Sequence, residues 1–310
     1  NLCSTFIYKG ATFFLKTMNT KDKSWKILSL TPLIAVLVIL TLVPLVNIFY
    51  NSFFDIRWDD GKYNYKYIGL ENYIELPNNK FYLPGLINTI KLSIFAVFFQ
   101  MLFGFLIALG ISKIKRGKGL FISLFLLPIL LPPIVIGSIW RLMYGFDFGI
   151  FNYILSFFGV FPLDWLGSSS LAFTSIVIVD VWHWTPFVVL LLLAGLESLP
   201  TDVYEAARVD GTSGWNEIIY ITIPLMIPTI IVTMVFRFIL SFKVFDEIYL
   251  LTQGGPGTST EVISFSIYET FFESDNMGLG SVMSVVSLFV VSLLIIIVLN
   301  VIRRVNKYAN

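Results

Sequence analysis

A chain of 310 residues with 56% apolar and 13% charged residues and a mean hydropathy of +0.82 departs from soluble domains, in which roughly a quarter of residues are charged. Its formal net charge of +1 leaves no basic stripe for nucleic acid. One cysteine, Cys3, excludes an intramolecular disulfide and any multi-cysteine metal site, and one histidine, His183, excludes the two-histidine metalloprotease pattern.

Residues 1–17 have no initiator methionine and read as an upstream extension outside the native chain; an amphipathic helix on a membrane surface is the alternative. Met18-Asn19-Thr20-Lys21 then opens a polar, basic lead-in, so residues 1–26 form an N-terminal tail. Six apolar runs follow, at 27–50, 86–111, 120–144, 171–196, 224–245 and 278–302. Each matches the roughly 20 helical residues that cross a hydrocarbon core. The expectation is an all-α integral membrane protein of six transmembrane helices, one domain over 27–304, with a short tail at 305–310. Pro128, Pro132 and Pro133 lie inside the third run and predict a kink there, since proline removes a backbone donor and clashes with the preceding turn.

Orientation follows from lysine and arginine in the short loops. Lys21, Lys23 and Lys26, then Lys113, Lys115, Arg116 and Lys118, and finally Arg303, Arg304 and Lys307 collect on one side. Of the long loops on the opposite side, 51–85, 145–170 and 246–277, the last two carry acidic residues but no lysine or arginine. Both termini and the loop at 197–223 are therefore expected in the cytoplasm.

Ionisable residues inside the spans cost several kcal/mol unless paired or hydrated, so they mark chemistry or structure. Asp180 in the fourth run and Arg237 in the fifth fall at comparable depth and are candidate partners. Asp180, His183, Trp184 and Phe187 share one helical face, and Thr233, Arg237 and Ser241 share another at spacing four. Aromatic planes for C–H faces and planar hydrogen-bonding groups for hydroxyls suit a sugar. A structural ion pair accounts for Asp180 and Arg237 equally well, and a hydrogen-bonded core role is the simpler account of His183.

Between the fourth and fifth runs, Pro200 suits a first helical position and Gly211 a left-handed stop, which predicts a short helix over 200–209. Ser213 is the expected N-cap of a second short helix over 215–223, ended by Pro224. On the first helix Val203, Ala206 and Ala207 share a face open to close approach, with Glu205 beside it. The phosphate-loop pattern G-x-x-x-x-G-K-[ST] is absent, as is any convincing Ser/His/Asp set, so the chain is not expected to be an enzyme or to hold ATP.

Glu205-Ala206-Ala207, Gly211 six residues after the glutamate, Ile221 and Pro224 resemble the EAA loop of ABC importer permeases, with Ile223 where that family more often has leucine. Asp210-Gly211, Thr185-Pro186 and Leu251-Thr252-Gln253-Gly254-Gly255-Pro256 resemble the carbohydrate-uptake branch, specifically its maltose-permease type. The likeness runs from 27 to 304. It implies a permease in the cytoplasmic membrane of a bacterium or archaeon, working with a second homologous permease, two ATPase subunits that hold ATP and magnesium, and an extracytoplasmic sugar-binding protein. This chain would itself hold no cofactor. Glu205, Ala206, Ala207, Asp210, Gly211 and Pro224 would couple it to the ATPase, and the faces bearing Asp180, His183, Trp184, Phe187, Thr233, Arg237 and Ser241 would line the sugar path. An ABC permease for another nutrient and a proton-coupled secondary transporter remain the alternatives, the latter requiring no cytosolic docking helix.

Overall fold

The computed structural model describes residues 21–309, so the expectation for residues 1–17 lies outside the described residues. It divides into two compact units, Asn1–Asn51 and Ser52–Asn310. The described part of the first is a single helix, α1 (Lys21–Asn51), which carries Pro32 and Pro44 and an apolar stretch from Leu30 to Asn51.

The second unit begins with an antiparallel hairpin, β1 (Phe54–Asp59) and β2 (Lys62–Tyr67), an addition to the helical expectation. Its two-residue turn is Asp60-Gly61, both at positive φ (48° and 78°), the backbone that matches the twist of paired strands. Helices α2 (Glu71–Glu75), α3 (Tyr82–Ser112), α4 (Lys118–Phe125), α5 (Leu127–Leu130), α6 (Pro133–Met143), α7 (Ile150–Ser156), α8 (Ser169–Glu197) and α9 (Thr201–Val209) follow. Then come α10 (Trp215–Glu217), a π-helical turn (Ile218–Thr222), α11 (Ile223–Ser241), α12 (Asp246–Leu251), α13 (Ile263–Tyr268) and α14 (Met277–Ala309).

The third apolar run is not one kinked helix. It is three short ones, and the second break falls where Leu131 and Pro132 turn extended (ψ 136° and 137°). Each of these residues precedes a proline, whose ring disfavours the helical region for its predecessor. Among the described residues five helices, not six, are long and apolar enough to cross a membrane. Nor does Pro224 separate the short helix expected over 215–223 from the fifth span. Trp215–Ser241 is one apolar helical stretch, and the π turn just before Pro224 widens the coil where that residue supplies no N–H.

Helix α8 is the axis of this unit and packs most extensively on α3. Gly104 of α3 makes the approach possible, since a Cβ there would lie 2.6 Å from Val188 Cγ1. Helix α11 lies against both. One apolar cluster gathers Leu92, Ile136, Ile176, Val179 and Ile248; another gathers Ala108, Val188, Leu192 and Met226. Along α3 and α8 a buried polar layer separates them.

Candidate translocation site and coupling helix

The polar layer is built by α3, α8 and α11. Arg237 of α11 is fully buried; its Nη2 donates to Asp180 Oδ2 of α8 at 2.8 Å and its Nε to Gln100 Oε1 of α3 at 2.6 Å. Gln100 Nε2 in turn donates to Asp180 Oδ2 at 2.8 Å and to the Asp180 carbonyl at 2.9 Å. The two charges are thus joined directly and through a shared amide, an arrangement that offsets the cost of desolvating them. Asp180 Oδ1 and Arg237 Nη1 are buried with no partner among the described residues.

Around this pair the sequence-derived candidates separate. His183 is 3% exposed, and its Nδ1 lies 3.0 Å from Oε1 of Glu247 on α12. The Thr233 hydroxyl bonds back to the Thr229 carbonyl at 2.8 Å, and the Ser241 hydroxyl lies 2.6 Å from Ser93 Oγ of α3. All three are buried within this chain. Trp184 and Phe187 are only half-buried. Trp184 carries the Arg237 guanidinium 4.8 Å from its ring and meets Phe187 edge to face. Trp182 turns away, against Trp140.

Gln100, Glu247 and Ser93 were missed. Gln100 is a polar side chain in mid-span and carries the same sequence signal as Asp180. Glu247 gave none, because it falls in a segment that reads as an external loop.

The second candidate region is α9. Pro200 caps it rather than opening it, and Thr201 is its first residue. Its end is a Schellman motif: Gly211 has φ +80°, Thr212 N–H donates to the Ala207 carbonyl at 2.9 Å, and Gly211 N–H to the Arg208 carbonyl at 3.1 Å. Ser213 is not the next N-cap; Gly214, at φ 61° and ψ −125°, takes that position. Glu205, Ala206, Val203 and Asp210 face solvent, but Ala207 is 8% exposed and turned inward, so close approach from outside falls to Ala206. Tyr204 Oη donates to Thr222 Oγ1 at 3.0 Å, and Arg208 stands 4.0 Å from Glu217. These contacts join α9 to the turn that leads into α11. Pro224 is exposed at the start of α11. On the same side, Lys118 of α4 pairs with Glu197 at the end of α8.

Residues 100–307, which contain the polar layer and α9, match the model of the binding-protein-dependent transport system inner membrane component family. The chain belongs to that family. It is thus a multi-pass membrane component of a binding-protein-dependent transport system and not an enzyme. It is 36% identical over 275 residues to the trehalose/maltose transport system permease protein MalF of Thermococcus litoralis, covering 88% of this chain and 92% of that one. The trehalose transport system permease protein SugA of Mycobacterium tuberculosis is 32% identical over 219 residues, 71% of this chain and 69% of that one. In fold it matches a chain of the bacterial alginate ABC transporter solved with an alginate pentasaccharide-bound periplasmic protein. There the TM-score is 0.82 at 22% identity, covering 94% of this chain and 99% of that one.

Proposed function

We propose that this chain is one of two homologous permeases in an ATP-driven importer of a sugar or oligosaccharide. The observation that carries the coupling half of this reading is α9, which exposes Glu205, Ala206 and Val203 while Tyr204 and Arg208 tie it to the base of α11. A load applied to that face passes into a span by hydrogen bond and ion pair as well as through the chain. The sugar half is supported by the relatives named for trehalose and maltose. It is supported too by the half-buried Trp184 and Phe187 beside the polar layer, which offer aromatic planes to the C–H faces of a pyranose. In this reading Trp184 and Phe187 meet the substrate, while Asp180, Arg237, His183, Thr233 and Ser241 position them from within the protein.

The remaining parts follow from the same reading. Two ATPase subunits hold ATP and magnesium on the cytoplasmic side, where both termini and α9 lie. An extracytoplasmic binding protein delivers sugar on the other side, and the second permease closes the path. Glu205 pairs with a cation on the ATPase, and a desolvated charge-assisted contact of this kind is worth roughly a few kcal/mol. Glu205→Lys is expected to insert with the partner permease yet lose the ATPase on purification, with sugar uptake at background. Full ATPase retention and normal uptake in that variant would overturn the coupling assignment.

A further inference from the structure

The β1–β2 hairpin has two faces of opposite chemistry. Its register sets Phe54 opposite Tyr67, Ile56 opposite Tyr65 and Trp58 opposite Tyr63, so one face is wholly apolar and aromatic. The alternate positions Asp55, Arg57, Lys62, Asn64 and Lys66 make the other face polar. The rings of the aromatic face pack on one another: Trp58 and Tyr63 meet edge to face at 4.7 Å, and Phe54 and Tyr67 at 5.4 Å. Only part of it is used inside the protein. Ile56 is fully buried, while Trp58 (52%), Tyr63 (41%), Tyr65 (56%) and Tyr67 (69%) remain exposed.

The position of the hairpin identifies what covers that remainder. Trp58 N–H donates to Asp275 Oδ2 at 3.1 Å, and the Phe54 carbonyl lies against Gly278, so the hairpin is fastened across the first turn of α14. The span-length apolar stretch of α14 begins at Met277, and a helix rises only about 1.5 Å per residue. The hairpin therefore sits at the mouth of a membrane-crossing helix, which corresponds to headgroup depth, with its aromatic face largely open. Tryptophan and tyrosine are the residues that settle at this depth, ring in the acyl boundary and polar tip in the headgroups. Helix α2, which packs on the same α14, adds Ile74, and its N-cap adds Leu70, 74% and 60% exposed.

We propose that this hairpin is a membrane-interface anchor, a monotopic element lying aromatic face down in the outer headgroup layer. Residues 54–67 carry Asp55, Asp59 and Asp60 against Arg57, Lys62 and Lys66, a neutral balance. The attachment is therefore driven by the aromatic face, takes zwitterionic lipid and is insensitive to salt.

The test places a nitroxide label at Trp58→Cys, Tyr65→Cys, Asn64→Cys or Lys66→Cys, on a Cys3→Ser background, in the assembled transporter reconstituted into phosphatidylcholine bilayers. Collision with oxygen, which concentrates in lipid, is compared with collision with a water-soluble nickel chelate. Oxygen is expected to dominate several-fold at 58 and 65 and nickel at 64 and 66, unchanged between low and high salt. Nickel dominance at all four positions would overturn the proposal. So would protection at 58 and 65 that arises only when the binding protein is added, since the face would then be a protein-docking surface. Quenching of native tryptophan emission by lipids brominated near the headgroup gives a measurement free of labels. The quenched fraction is expected to fall in Trp58→Phe, and an unchanged or increased fraction counts against the anchor.

Discussion

Arg237 is held from three sides: fully buried, bonded to Asp180 and Gln100, and capped by the Trp184 ring. Removing one partner of such a pair leaves the other charge buried alone, a cost of roughly 3–5 kcal/mol. Arg237→Ala is expected to lower the thermal midpoint of the purified transporter sharply. The double variant Asp180→Leu with Arg237→Met recovers part of the loss, because two apolar side chains replace two compensated charges while the Gln100 amide stays unpaired. A single variant as stable as wild type would mean that the polar layer is hydrated and open in the assembled protein.

Glu261, beyond the C-terminal end of α11, is 2% exposed. Burial raises its carboxyl from the ordinary 4.5 to about 7; the Ser266 hydroxyl, donating at 2.6 Å, pulls the other way and Glu269 adds to the rise. Between pH 4.5 and about 7 the folded protein therefore holds a proton that the unfolded chain has lost, so stability falls as pH rises through this window. The thermal midpoint at pH 8 is expected below that at pH 5, and the difference should shrink in Glu261→Gln. An equal pH dependence in both proteins would assign the effect to other groups.

At the scale of the element, α9 acts only if it moves with α11. The bond from Tyr204 to Thr222 links α9 by side chains to the turn that opens into α11, and such a bond contributes about 1 kcal/mol. Thr222→Val keeps the shape and removes the acceptor. The ATPase should still co-purify, because the exposed face around Glu205 is intact, but ATP hydrolysis stimulated by the sugar-loaded binding protein should fall together with uptake. Normal stimulation in this variant would show that the load passes without the Thr222 bond, through the Arg208–Glu217 pair and the chain connection at Gly211.

At the scale of the whole molecule, the charge asymmetry of the loops predicts the orientation, with α9 and both termini on the cytoplasmic side. Lys115 and Asp147 flank the broken third run and both are exposed, which makes them suitable probes of its two sides. On a Cys3→Ser background, an impermeant thiol reagent applied to intact cells should label Asp147→Cys and spare Lys115→Cys. The opposite result would invert the topology and place α9 outside.

The sequence by itself determined the membrane class, five of its long helices, the short helix α9 and its glycine stop, because each is a local matter: runs of apolar residues, loop charges, and a backbone conformation that glycine tolerates at φ +80°. It also supplied Asp180 and Arg237 as partners, since the cost of an intramembrane charge is visible residue by residue. Only the tertiary structure decided the rest. Gln100 joins that pair from 80 residues away from Asp180 and 137 from Arg237, and Glu247 reaches His183 across 64. No periodicity within one helix encodes such contacts. Ala207 turned inward, although the spacing put it on an open face, because what covers a helix face is set by the neighbour that packs there. The third run was interrupted before α6 where apolar content alone predicted one helix, because successive prolines governed the backbone at Leu131 and Pro132 whatever the hydropathy of their neighbours.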